Sequence, residues 1–165
     1  MIKKLVGILC FATFALSGAP AFAQDFTLKI GDIQGSSTVT PGAIDALSFS
    51  FGVQAQPQGK ATASTKTGCS TFNVLSFLGK ETGDLFLAVM QGTRFDTATF
   101  KAFNRTGTQV FELVFSDVVV TSVQQSGSSG GDIGVQSLSL SMSRATLKLF
   151  GAGAAPSESA WSCGG

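Results

Sequence analysis

The feature that most limits what this chain can become is a period of two. Phe26, Leu28 and Ile30 alternate with Thr27 and Lys29, and Leu47, Phe49, Phe51 and Val53 alternate with Ser48, Ser50 and Gly52. Phe111, Leu113 and Phe115 repeat the pattern, as do Leu138, Leu140 and Met142, then Leu147 and Leu149. Successive side chains of an extended chain point to opposite faces, so each run presents one apolar face to a core and one polar face outward. Turn-forming segments separate the runs. Residues 34–42 link the first two strands, and the polar stretch 54–68 reads as a long exposed loop. Asn104-Arg105-Thr106-Gly107 makes a tight hairpin turn, and residues 126–134 close another hairpin. The expected fold is all-β, a mainly antiparallel β-barrel with one short flanking α-helix. That helix is predicted within Thr82 to Gln91. Thr82 serves as its cap, Asp84 suits its positive end, Leu85, Ala88 and Val89 share one face, and Gly92 supplies a left-handed stop. It would plug one end of the barrel or cover an open sheet edge.

The first residues set the compartment. Lys3 and Lys4 precede an apolar stretch from Leu5 to Leu16, and Ala21-Phe22-Ala23 ends the segment with small residues three and one before a cleavage point. This is the layout of a secretory signal peptide cut between Ala23 and Gln24. The run falls short of the roughly 20 apolar residues a spanning helix needs. Cys10 lies within the apolar run behind Leu9, not in the setting of an acylated cysteine. The expected organisation is therefore a leader at 1–23, a barrel domain at 24–150 and a Gly/Ala/Ser-rich tail at 151–165, mobile unless tethered. The mature chain is expected to be exported to the periplasm or the medium, without stable membrane insertion. Losing Lys3 and Lys4 takes 11 basic and 10 acidic residues to 9 and 10, a formal net charge of −1. No basic patch remains to neutralise a phosphate backbone, so nucleic acid is not an expected partner.

Export also bears on the cysteines. After cleavage only Cys69 and Cys163 remain, and in an oxidising compartment such a pair points to a bridge. An intramolecular Cys69–Cys163 bond is the expectation, with two free thiols or a bridge between chains as alternatives. Catalysis is poorly supplied. The chain has no histidine, which removes Ser-His-Asp and Cys-His arrangements and imidazole metal ligands. Asp32, Asp45, Asp84, Asp96 and Asp117 could in principle pair for a carboxylate hydrolase, but each also suits a turn, cap or exposed strand. The Gly/Ser-rich stretch from Ser126 to Asp132 lacks the Lys-Ser/Thr of a phosphate loop and the spaced carboxylates of a calcium loop. The chain is therefore read as a non-enzyme that needs no cofactor or metal. Trp161, the single tryptophan, is expected to bury against the barrel beside Cys163 and hold the tail down. Two stretches break the clean alternation. Val118, Val119 and Val120 carry apolar groups on both faces, and Phe95, Phe100 and Phe103 cannot all lie on one side of a regular strand. These six residues are candidates for an oligomer interface.

The segment Gly42-Ala43-Ile44-Asp45-Ala46-Leu47-Ser48-Phe49-Ser50-Phe51-Gly52-Val53 resembles the second strand of Hcp proteins, which form the inner tube of type VI secretion systems. Phe26-Thr27-Leu28-Lys29-Ile30, with Ile33 and Gly35, is similar to that family's opening strand. The stretch from Leu113 to Gly131, with Asp117-Val118 and the Ser126-Gly127-Ser128-Ser129-Gly130 loop, is similar to its late hairpin. The resemblance runs from about Phe26 to Phe150 and implies a closed or nearly closed barrel that assembles into hexameric rings. It also implies an inner ring surface that carries or stabilises effectors, and a role for the long 54–68 loop where rings meet. The leader, the cysteine pair and the tail are additions to the family pattern. The expected function is a ring- or tube-forming structural protein acting after export. Its partners would be its own copies, most simply as a hexamer, together with effector or other secreted proteins. The alternative is a secreted monomeric barrel that recognises a protein or glycan through its loops.

Overall fold

The longest strand, β7 (Gln109–Ser126), organises the molecule. The computed structural model describes residues 25–56, 66–129, 134–151 and 155–163. The expected leader and the expected cleavage point at Ala23 and Gln24 lie outside them. On one side β7 pairs with β6 (Arg94–Phe103). On its other side it pairs first with β9 (Arg144–Leu149) and then with β8 (Val135–Ser141). β8 and β9 thus follow one bent path, broken at Met142 and Ser143, where the Ser143 N–H donates to the Ser116 carbonyl at 3.1 Å. From β6 the sheet continues through β1 (Asp25–Ile30), β2 (Ile44–Ser50) and β5 (Phe72–Phe77) to β8, and every pairing is antiparallel. Because β8 joins both β5 and β7, the six strands β7-β6-β1-β2-β5-β8 close on themselves and leave no edge within that ring. Two further elements depart from it. The hairpin β3 (Val53–Gln56) and β4 (Lys66–Cys69) prolongs β2 and β5, and β10 (Ser157–Ser162) adds to the outer edge of β9.

The interior is aromatic. Phe72, Phe100 and Phe115 are fully buried among Leu28, Ile30, Ile44, Leu138 and Leu140. Ring centroids lie 5.2 Å apart for Phe72 and Phe100, and 4.7 Å for Phe72 and Phe115. The alternation expected for β1, the first half of β7 and β8 is present. Leu28 and Ile30, Leu113 and Phe115, and Leu138, Leu140 and Met142 all face the core.

Three backbone irregularities reassign other side chains. Asp117 has φ 54°, the only positive φ of a non-glycine among the described residues. Before it, odd positions Leu113 and Phe115 face inward; after it, even positions Val118 and Val120 do. Opposite Asp117 sits Asp96 on β6, and there too the inward parity changes, from Phe95 to Ala98, Phe100 and Ala102. A register shift between Val120 and Ser122 switches β7 again, so that Val123 packs on the core. A shift between Ala46 and Ser48 does the same for β2. Ile44 and Ala46 face inward before it and Phe49 packs inward after it, while Leu47 stays 42% exposed and Val53 48% exposed. The four residues Leu47, Phe49, Phe51 and Val53 therefore do not share one face as the alternation suggested.

α1 spans Thr82–Gln91, with Leu85 and Ala88 buried and Val89 partly so. It packs on β7. Gly92 ends it with φ 62°, its N–H and that of Thr93 reaching the Val89 and Ala88 carbonyls at 3.2 and 2.9 Å. Thr82 is not its cap. Glu81 holds that position without a side-chain cap bond, and Thr82 Oγ1 instead donates to Gln136 Oε1 at 3.1 Å. Gln136 Nε2 in turn donates to the Phe77 carbonyl at 3.3 Å, so a buried amide on β8 ties the helix start to the end of β5. Two loop expectations change as well. The ends of the 54–68 stretch are strands, with Gln54 opposite Gly68, while 57–65 lie outside the described residues. The tail carries a strand, β10, and is tethered.

Candidate assembly surface and barrel-mouth groove

Past Ala46, β2 runs beyond the described start of β1, and the β2–β3 and β4–β5 arms project past the closed ring. β9 and β10 extend from the first half of β7. Between these two projections lies a cleft of about 340 Å³. Phe49, Phe51 and Val53 line it from β2, β3 and the link between them, and Phe111, Leu113, Leu147, Leu149 and Trp161 line it from β7, β9 and β10. The Trp161 indole stacks on Phe51 with centroids 6.3 Å apart. A disulfide joins Cys69, the last residue of β4, to Cys163, the residue after β10. The intramolecular bond is thus the one present, and Trp161 sits where the sequence placed it, packed on the core beside that bond.

Charged residues face one another across this region. Lys101 on β6 stands opposite Glu112 on β7, Glu112 opposite Lys148 on β9, and Lys148 opposite Glu158 on β10. The successive N–O distances are 3.7, 3.8 and 3.9 Å, an alternating ladder across four strands. Directly opposed unlike charges favour one register over its neighbours.

A second surface lies on α1. Phe86, Leu87 and Met90 occupy the side opposite Leu85 and Ala88 and are 40%, 57% and 83% exposed. Phe77 and Leu78, which precede the helix, are also exposed. Beside Leu87 a cleft of about 300 Å³ is lined by Asp32, Ile33, Asp84, Gln91, Thr93 and Phe95 among others. It brings together two of the five aspartates singled out in the sequence. Of the others, Asp117 pairs with Arg94 at 2.7 Å on the exposed surface, and Asp45 and Asp96 are exposed on β2 and β6. Among the described residues, no three His, Cys, Asp or Glu stand close enough together to hold a metal ion. Of the Gly/Ser-rich loop, 130–133 lie outside the described residues.

The six candidate interface residues separate. Phe100, Val118 and Val120 are buried to within 1% and Phe95 to within 8%, all in the chain's own core. The face switches at Asp117 and Asp96 are the reason: Phe95 and Phe100, which a regular strand would divide between two faces, are both turned inward, as are Val118 and Val120. Only Val119 and Phe103 remain partly exposed. The exposed helix face went unrecognised in the sequence, although its signal was present. Leu85, Phe86, Leu87, Ala88, Val89 and Met90 are apolar all round the helix, more than one buried stripe requires.

A family model described as "Type VI secretion system effector, Hcp" matches residues 27–150. No curated protein matches the chain. Among solved structures, Hcp1 from Salmonella typhimurium is 20% identical, with a TM-score of 0.75 over 85% of this chain and 95% of that one. A structure described as a type six secretion system protein is 21% identical, with a TM-score of 0.77 over 85% and 96%. A type VI secretion system effector from Yersinia pestis is 18% identical, with a TM-score of 0.72 over 84% and 99%. At these identities the likeness is one of fold. The family match spans nearly the same stretch that the sequence motifs marked. Among the described residues no helix is long and apolar enough to cross a membrane.

Proposed function

The chain belongs to the Hcp family of type VI secretion system effectors, and from that premise we propose that it is an exported structural protein whose barrels assemble into hexameric rings or short tubes. The observation that carries the reading is the outer face of α1. Phe86, Leu87 and Met90 form a contiguous apolar face that the chain's own core does not cover. A head-to-tail contact closes into a ring at a fixed rotation, and each contact needs to bury on the order of 1,000 Å² to persist. The mature net charge of −1 offers little repulsion between copies. The buried Phe95, Phe100, Val118 and Val120 take no part in such a contact. The role is architectural rather than catalytic. Effectors or other secreted proteins are the cargo, held on the inner ring surface as the family resemblance implies. The leader expected at 1–23 supports an assembly in the periplasm or outside the cell.

Met90→Asp tests the surface. The side chain is 83% exposed, so the substitution should leave the far-ultraviolet circular dichroism of the barrel unchanged. In a ring built on this face it should reduce the mass measured by light scattering to that of a monomer. An assembly of unchanged mass in Met90→Asp would remove α1 from the interface.

A further inference from the structure

The closed ring of strands is complete without β10, yet β10 is seated with care. It pairs along its whole length with β9, with Glu158 opposite Lys148, and is bonded through Cys163 to Cys69 on the opposite projection. We propose that the Cys69–Cys163 disulfide is the latch of a strap, and that its reduction releases β10 and opens the apolar groove of Phe49, Phe51, Phe111 and Leu147.

Beyond its main-chain ladder with β9, little else holds the strap. Ser157, Glu158, Ser159, Ala160 and Ser162 are all exposed, so they add no apolar burial. Exposed ion pairs such as Glu158–Lys148, at 3.9 Å, contribute little. Trp161 is the one large anchor, and its Nε1–H has no acceptor among the described residues. Its seat therefore rests on apolar contact, chiefly the stack on Phe51. Cys163 adds a main-chain bond, its N–H donating to the Ser143 carbonyl at 2.7 Å. The disulfide differs from all of these because it is a covalent link across the groove, joining the β3–β4 arm to the β9–β10 projection. Both half-cystines are only partly buried, so a thiolate can approach them.

The chemistry is thiol–disulfide exchange with a dithiol reductant. One thiolate of the dithiol attacks a sulfur of the Cys69–Cys163 bond, forming a mixed disulfide and releasing the other cysteine as a thiolate. The second dithiol sulfur then displaces the remaining cysteine. The reductant leaves as its own disulfide, two electrons and two protons having passed to Cys69 and Cys163. With the latch open, β9 presents an unpaired outer edge and the groove loses the wall that Trp161 provides.

Trp161 is the only tryptophan, so the mature protein carries its own reporter. On adding dithiothreitol, Trp161 emission should move to longer wavelength and 1-anilinonaphthalene-8-sulfonate fluorescence should rise. Amide exchange in 144–149 and 157–162 should quicken on the order of a hundredfold, the factor lost when the tail of about 13 residues from Phe150 to Cys163 is no longer closed onto a folded barrel. The strands of the closed ring should stay folded and far better protected than β10. A Cys69→Ser/Cys163→Ser double variant should show the open state without reductant and no further change with it. Unchanged protection of β10 after reduction would mean that the strand holds itself, and would overturn the proposal. So would loss of the barrel's far-ultraviolet signal together with the Trp161 shift, since the bond would then be a staple of the whole fold.

Discussion

Replacing Phe100 by alanine separates a core position from an interface position at a residue the sequence assigned to the interface. Phe100 is fully buried, and its ring centroid lies 4.6, 5.2, 5.8 and 6.0 Å from those of Phe49, Phe72, Phe26 and Phe111. Its backbone stands opposite Leu28 on β1 and Leu113 on β7, so both flanking strands are held in register while the ring is removed. A site framed in this way collapses poorly, and loss of a buried phenylalanine costs about 3–5 kcal/mol in transfer and cavity terms together. With a urea m-value of about 2 kcal/mol/M, the unfolding midpoint should fall by roughly 2 M. The assay is urea denaturation of the oxidised mature protein followed by circular dichroism, with light scattering on the same samples. If Phe100 faced a neighbouring copy, the variant would release monomers while its midpoint moved by less than about 0.5 M. That pair of results would refute the placement of Phe100 and, with it, the face switch at Asp96 and Asp117.

The switch itself can be probed at Asp117, whose φ is 54°. Asp117→Gly should cost little beyond the exposed pair with Arg94, whereas Asp117→Val should cost about 1–2 kcal/mol more because a β-branched side chain is forced into the left-handed region. Equal midpoints for the two variants would show that the backbone strain is absent. Export is tested by intact mass of protein recovered from the periplasm or medium, which should begin at Gln24 within a residue or two. Recovery of only the full-length chain, from cytoplasm alone, would contradict the leader.

The legible parts of the fold are those set by local pattern. Alternation in β1, the first half of β7 and β8 marks the inward residues directly, and Gly92 marks the end of α1 because a helix stop needs a residue that tolerates positive φ. The three backbone irregularities on β2 and β7 were hidden. A bulge leaves no signature in the hydrophobic period except an apparent excess of apolar residues, and that excess in Val118–Val120 and Phe95–Phe103 suggested an interface. Only Asp117 carried a hint, since Asp enters the left-handed region more readily than most residues. β10 was illegible for a different reason. Ser-Glu-Ser-Ala-Trp-Ser has little intrinsic preference for a strand, and it is placed by contacts distant in sequence: the ladder with β9, the Trp161–Phe51 stack and the bond to Cys69. The cysteine pair and the role of Trp161 were readable because the stretch after the expected cleavage point holds only two thiols and one indole. The exposed α1 face was readable in principle, but it was masked by the correct assignment of its buried side.

The central claim is that the mature, oxidised chain is a ring-former. Its most direct test is the mass of that protein in solution, measured by multi-angle light scattering after size-exclusion chromatography at about micromolar concentration, where a contact on the order of 1,000 Å² should persist. The expected result is a single species with the mass of a hexamer. A clean monomer would contradict the account and leave a secreted monomeric barrel, binding through its loops, in its place.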